Sequence, residues 1–421
     1  MTSRELVENF FRHEYGKLVS VLSGRFGLQH VEAIEDAVQF ALMRALEGWT
    51  ASGPPNDPSA WVYRVAYNEL LGQFRKGSGH RRILERNYEQ FRGEPEDPGG
   101  ALSDDILDDM LRMLFVCCDA SIPRNSQIVL ALKILCGFEV SEIGFRLFSS
   151  DANIYKRLAR ARKQIKTSTF AFDDLDQETL SIRLDAVHAV IYQIFSEGYL
   201  SSRADLPIRR ELCLEAIRLA TILADHPIGQ ESTTYALLAL MYCHLSRMTA
   251  RQDGAGGLFL LEEQNRSLFD NEAKQTGLSW LEKSASGDKF SRYHAEAGIA
   301  AEHCLAPSFE ETRWDRVVDC YTLLEAIVPS PIHTLNRAVA VAELDGPGKA
   351  LAILQKLEPP VWLTRSYLWA AVLADLNNRC GNLQAAFQYR EAALRAAPGE
   401  AVVQLLKRRL SWENQSGASD K

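Results

Sequence analysis

The sequence holds no apolar run long enough to cross a membrane. Its longest uncharged stretch, Ser232–Ser246, contains Ser, Thr and His, whereas a span needs about 20 mostly apolar residues. No secretory leader is expected either, because Arg4, Glu5 and Glu8 stand where its apolar core would be. The eight cysteines show no CxxC spacing and are expected to be reduced, mostly buried thiols of a cytoplasmic chain. Cys243-His244 and His303-Cys304 are pairs of potential ligands, but neighbours on a helix diverge by about 100°. No metal or other cofactor is therefore expected. Positive charge is not in excess: 47 Lys and Arg face 55 Asp and Glu, for a net charge of −8. That excludes a uniformly basic nucleic-acid coat and leaves room for local basic patches. There is no phosphate-binding Gly loop, HExxH or nucleophile elbow, so no enzyme is expected. Alternation of apolar and polar residues long enough for a sheet is also missing.

What remains is 421 residues with the composition of an ordinary globular chain, 46% hydrophobic and 24% charged. An all-α fold of several domains is expected. The Pro-, Gly- and acid-rich stretch 93–103 (GEPEDPGGALS) reads as a linker, and 167–177 (TSTFAFDDLDQ) as a second break.

In the first block, residues 5–92, Phe11, Tyr15, Leu18, Leu22 and Phe26 form one apolar stripe, and Ile34, Val38, Ala41, Leu42 and Ala45 a second. The polar face of the second helix carries Glu35, Asp36, Gln39, Arg44 and Glu47, with Phe40 among them. An aromatic on a charged face suits either a partner surface or a plain solvated helix. The loop 49–58 has three prolines, and Asp57 or Ser59 is placed to cap the helix that follows, residues 60–75. Val62, Val65, Ala66 and Leu70 suit the buried face of that helix. Arg64, Asn68, Leu71 and Arg75 share another face, with Tyr63 and Tyr67 at its border and Lys76, Arg81, Arg82 and Arg86 beyond. Cations interleaved with aromatics suit single-stranded nucleic acid. The same pattern also fits a solvated Arg-rich face with tyrosines at the core edge.

In the second block, residues 104–166, the segment VSEIGFRLF (residues 140–148) predicts a short helix, Ser149-Ser150 a turn, and residues 151–165 a second helix. Ile154, Leu158 and Ala161 face in, while Asn153, Lys156, Arg157, Arg160, Arg162, Lys163 and Lys166 are available to face out. A short helix, a turn and a basic second helix match a helix-turn-helix whose second helix enters the major groove. A basic helix in a plain bundle gives the same pattern.

The third block, residues 178–411, is helical throughout, with breaks at its prolines and glycines. Ala350 and Leu354 parallel Ala385 and Tyr389 at an offset of 35, close to the 34-residue period of tetratricopeptide repeats. Glu197, His226 and Trp314-Asp315 are its candidates for lining a cleft, with ordinary structural roles the simpler alternative.

With these motifs in view, residues 5–166 resemble a bacterial extracytoplasmic-function (ECF) sigma factor. Glu35-Asp36-Ala37-Val38-Gln39 and Arg44-Ala45-Leu46 look like the region 2.2 helix. Trp61, Val65-Ala66 and Asn68 look like regions 2.3 and 2.4, and Ser141-Glu142-Ile143-Gly144 with Arg157-Leu158-Ala159-Arg160 looks like region 4. Gly72 and Tyr67 depart from the family pattern. The third block is similar to the tetratricopeptide-like extension of one ECF group, through Ser196-Glu197-Gly198-Tyr199 and Leu335-Asn336-Arg337-Ala338.

The resemblance implies a factor that directs core RNA polymerase to promoters. Asp36, Gln39, Phe40 and Arg44 would meet the β′ clamp helices, and region 4 the β flap. Arg64, Asn68, Leu71 and Arg75 would contact the melted minus-ten strand; Asn153, Lys156, Arg157 and Arg160 would read the minus-thirty-five duplex. The linker would keep the two readers apart, and the third block would govern activity, through a regulatory protein or ligand. The alternative is a helix-turn-helix regulator with a repeat-type sensor that works without polymerase.

Overall fold

Nineteen α-helices make up the described residues, which are 3–76, 102–147, 149–167, 177–199, 208, 210–252 and 258–412 of the computed structural model. Among them the one β-bridge joins Gln252 and Leu258. Much of the linker 93–103, most of the break 167–177, and Arg81, Arg82, Arg86, Phe148, Pro207 and Gly256-Gly257 lie outside the described residues.

The chain forms two units, 1–194 and 195–421. The N-terminal unit starts with α1 (Ser3–Phe26), α2 (Val31–Ser52) and α3 (Pro58–Lys76). Leu22, Ile34, Val38, Val62, Ala66 and Leu70 are fully shielded from solvent; each large aliphatic among them contributes about 1.5–3 kcal/mol. Asp57 supplies the cap of α3, its Oδ1 accepting from the Ala60 N–H at 2.9 Å. The 49–58 loop is shorter than its prolines predict, because α2 continues to Ser52 before Gly53 turns the chain at φ 75°.

Four more helices follow: α4 (Leu102–Cys117), α5 (Arg124–Ile134), α6 (Val140–Arg146) and α7 (Asp151–Thr167). α1 packs on both α4 and α5. Gly16 permits the close approach, since a Cβ there would stand 2.2 Å from the Leu135 carbonyl oxygen. α6 begins with a capping box in which the Glu139 N–H donates to Glu142 at 2.8 Å.

α8 (Gln177–Tyr199) runs through the division between the units, which falls at Ile194–Phe195 and not at the break before residue 178. The physical reason is Arg183. Its buried guanidinium bonds the Asp119 carboxylate and donates to the Phe115 carbonyl at 3.3 Å. A guanidinium and carboxylate this deep are stable only together, so the first turns of α8 belong with α4.

In the C-terminal unit, α9 (Arg210–Asp225), α11 (Asn271–Ser284) and α12 (Arg292–Leu305) pack around α10 (Ser232–Ser246). The uncharged stretch of the sequence is thus a central helix buried along nearly its whole length. Then come α13 (Trp314–Ile327), α14 (Pro331–Leu344), α15 (Pro347–Gln355), α16 (Val361–Thr364), α17 (Tyr367–Arg379), α18 (Leu383–Ala396) and α19 (Glu400–Arg409). Pro331 and Pro347 occupy first turns, where the missing N–H costs nothing. Leu335, Ala338, Ala350, Leu354, Trp369 and Leu373 share one core. The 35-residue offset does not carry over into burial. Ala350 and Leu354 are buried, whereas Ala385 is half-buried and Tyr389 exposed; it is Ala386, one position on, that is buried.

Candidate polymerase and nucleic-acid interface

The outer face of α2 presents Asp36, Gln39 and Arg44 to solvent, with Phe40 half-buried beside them. The Arg44 guanidinium lies 5.9 Å from the Phe40 ring centroid and 3.6 Å from Glu47. Met43, missed from the sequence, and Leu46, named there within the family motif, are 53% and 48% exposed on this helix. Met and aromatic side chains are enriched at protein interfaces, which makes Met43 and Phe40 candidates for a docking patch. The signal was available, since Met43 stands seven residues after Asp36, two helical turns on.

Glu35 needs a correction. It falls among the polar residues of α2 by sequence, yet it is 3% exposed. Tyr15 donates its hydroxyl to Glu35 Oε1 at 2.9 Å, and Arg162 of α7 bonds the other carboxylate oxygen. Burial pushes the Glu35 carboxyl up, against the pull of Arg162 and the Tyr15 hydrogen bond. Next to this contact, Lys166 pairs with Glu32. Arg162 and Lys166, placed by sequence on the outward basic face of α7, therefore serve as fasteners to α2.

On α3, Arg64, Asn68 and Arg75 are exposed and Leu71 half-buried, one stripe at four-, three- and four-residue steps. Tyr63 and Tyr67 do not border that stripe as available rings. They are 8% and 7% exposed, their rings stacked at 5.9 Å between centroids. Val65, assigned to the buried face, is half-buried. Trp49 and Trp61, both half-buried, sit with ring centroids 5.6 Å apart where α2 and α3 meet the loop.

In the second block, Ile154, Leu158 and Ala161 are at most 1% exposed. Asn153, Lys156 and Arg160 are exposed on the opposite side and Arg157 is half-buried. Tyr155, 61% exposed beside them, was missed because aromatic residues on a helix are usually core. The turn between α6 and α7 is tight. The Ser149 N–H donates to the Gly144 carbonyl at 2.8 Å, and a Cβ on Gly144 would stand 2.7 Å from the Ser149 carbonyl oxygen. Asn153 donates to Ser149 Oγ at 2.7 Å, which fixes its side chain at the start of α7.

Of the cleft candidates in the C-terminal unit, Trp314 lines a cavity, while Glu197, His226 and Asp315 are not among its lining residues. His226 caps the following turn, its Nδ1 accepting from the Ile228 N–H at 3.3 Å. Burial raises the Glu197 carboxyl to about 7. The two Cys-His pairs do meet: Cys304 Sγ lies 3.2 Å from the Cys243 carbonyl oxygen. Among the described residues no group of three or more His, Cys, Asp or Glu is gathered as for a metal ion, and no helix is long and apolar enough to cross a membrane.

Comparison with known proteins agrees with this geometry. Residues 10–79 match the family described as Sigma-70 region 2. Residues 183–285 match a family of unknown function, DUF6596. An uncharacterized protein of Rhizobium meliloti (strain 1021) is 34% identical over 334 residues, 78% of each chain. No solved structure matches. A region 2 that folds around the α2 and α3 faces, followed by an extension of this kind, places the chain in the ECF-like sigma factors that carry a large helical C-terminal extension.

Proposed function

We propose that the chain directs core RNA polymerase to specific promoters. Asp36, Gln39, Phe40 and Arg44, joined by Met43, dock on the β′ clamp helices, and residues 104–166 reach the β flap. Arg64, Asn68, Leu71 and Arg75 hold the separated minus-ten strand. Asn153, Lys156, Arg157 and Arg160 enter the major groove of the minus-thirty-five element, where Asn and Arg read base edges and Lys neutralises phosphates. The observation that carries this reading is that α3 and α7 bury their apolar faces and expose Arg64, Asn68 and Arg75 on one and Asn153, Lys156 and Arg160 on the other, with residues 10–79 matching Sigma-70 region 2.

The contact between α2 and α7 adds a step. The minus-ten and minus-thirty-five elements lie about 25 base pairs apart, roughly 85 Å at about 3.4 Å per pair. A 17-residue helix such as α7 is only about 25 Å long. The Arg162–Glu35 and Lys166–Glu32 pairs fasten α7 to α2 and so fix the spacing of the two readers, and in this reading docking on polymerase parts them. The resting chain is therefore a poor DNA binder, and the C-terminal unit governs when it opens.

Run-off transcription from a candidate promoter with core polymerase tests the reading. The full-length chain, or one ending after residue 199, is expected to programme initiation. A chain that binds the duplex but ignores polymerase would instead be a helix-turn-helix regulator.

A further inference from the structure

The C-terminal unit has an open-mouthed cavity of about 360 Å³ that no part of the sigma reading uses. This is the size of small-molecule sites, which are mostly apolar with a few placed polar groups. Its lining includes aromatic and aliphatic side chains, Phe309, Trp314, Val317, Leu368, Val372 and Leu406. The Phe309 and Trp314 rings meet edge to face at 5.1 Å.

Among the same lining residues runs a chain of charges. Glu262 pairs with Arg409, Arg409 lies 3.4 Å from Asp375, Asp375 lies 3.7 Å from Arg379, and Arg379 pairs with Glu343. All five residues line the cavity. Three carboxylates thus face two guanidinium groups, and each guanidinium is already engaged by two carboxylates. The nearby imidazole adds no positive charge. Burial, with Arg247 and Arg266 close by, lowers His303 to about 3, so it is neutral at pH 7. Its buried Nδ1 has no hydrogen-bond partner. Of the charged residues that line the cavity, an anion would meet two guanidinium groups already engaged and one carboxylate in excess, Arg247 and Arg266 standing near His303 outside the lining. A cation would complete the alternation in a cavity that aromatic rings also line.

We propose that this cavity binds a small amphipathic cation, an apolar or aromatic body carrying an ammonium or amidinium group. The apolar body fills the space against Trp314 and Val372, and the cationic group lies on the Glu343–Asp375 side. This inference is independent of what the N-terminal unit does.

The test is calorimetric titration of the full-length chain with three probes of one shape: 4-phenylbutylamine, 4-phenylbutanol and 4-phenylbutyrate. The amine is expected to bind about tenfold or more tightly than either of the others. Asp375→Asn is expected to weaken the amine about tenfold and leave the alcohol unchanged, a split that general loss of structure does not produce. Ala371→Trp, which fills the cavity, is expected to abolish binding of all three. Equal affinity for the three probes, tighter binding of the carboxylate, or no amine binding at millimolar concentration to a chain with an unaltered melting temperature overturns the proposal.

Discussion

The guanidinium of Arg162 is hydrogen-bonded to the carboxylate of Glu35, 127 positions earlier in the chain. This buried pair joins the helix assigned to polymerase docking to the helix assigned to duplex reading. Removing one member of a buried pair leaves the other charge uncompensated. Arg162→Met is therefore expected to destabilise the chain by about 3 kcal/mol in urea unfolding. The loss depends on pH in a defined direction. The Glu35 carboxyl is already raised by burial, so its contribution is fully present below the unfolded value and fades as pH rises through the folded one. Without Arg162 the folded value climbs further, and the loss should be larger at pH 8 than at pH 5. An equal loss at both would show that Glu35 is not the group left behind.

Gly16 gives an orthogonal handle on the same closed arrangement. Because a Cβ would meet the Leu135 carbonyl oxygen at 2.2 Å, backbone must move. Gly16→Ala is expected to lower the melting temperature by several degrees, equivalent to about 1–3 kcal/mol. If the closed form restrains DNA binding, the same variant should bind promoter DNA more tightly than the native chain in the absence of polymerase.

On the docking face, Asp36→Arg reverses a charge at an exposed position. It is expected to weaken binding to core polymerase at least tenfold while leaving the melting temperature within about 1 °C, because surface changes away from buried features move stability by about 0.5 kcal/mol or less. Co-purification with core polymerase, compared with Met43→Glu on the same helix, checks it.

Arg160→Ala should lower promoter affinity by about 1–3 kcal/mol if Arg160 reads a base. Filter binding to the promoter and to a scrambled duplex separates the roles. Loss on both duplexes alike assigns Arg160 to a phosphate.

Glu197 makes the C-terminal unit sensitive to pH. Its carboxyl, raised to about 7 by burial, contributes most below the ordinary carboxylate value, and the contribution is lost as pH rises through about 7. His303, lowered to about 3, acts oppositely: its share is present above about 6.5 and declines as pH falls. Glu197→Gln should flatten the decline of unfolding midpoint between pH 6 and 8, and a slope identical to the native one would place the titration elsewhere.

The helical class, the inward stripes of α2, α3 and α7, and the breaks at Pro331 and Pro347 were legible because each is a local pattern of three to four residues or a backbone constraint. Glu35 was not. A carboxylate is buried only where partners come to it, and Tyr15 and Arg162 are 20 and 127 positions away. The C-terminal cavity was hidden for the same reason, its chain of charges being closed by Arg409 against Glu262, 147 positions apart. Tyr63 and Tyr67 were misplaced because their position at the edge of the helical stripe gives no sign that the end of α1 covers them, Arg25 lying 5.8 Å from the Tyr63 ring and Phe26 5.5 Å from that of Tyr67.

These interlocks also change where the chain is best cut. A truncation at about residue 170 would strip Arg183 from Asp119 and leave a buried carboxylate without its cation. Ending the chain after Tyr199 keeps that pair.

Such a fragment has a useful optical property. Of the seven tryptophans in the chain, only Trp49 and Trp61 precede residue 195, and their rings lie 5.6 Å apart beside α3, the helix proposed to hold the separated minus-ten strand. Its tryptophan emission would come from that pair alone, so quenching on mixing with a single-stranded oligonucleotide would time the arrival of a base without any attached dye.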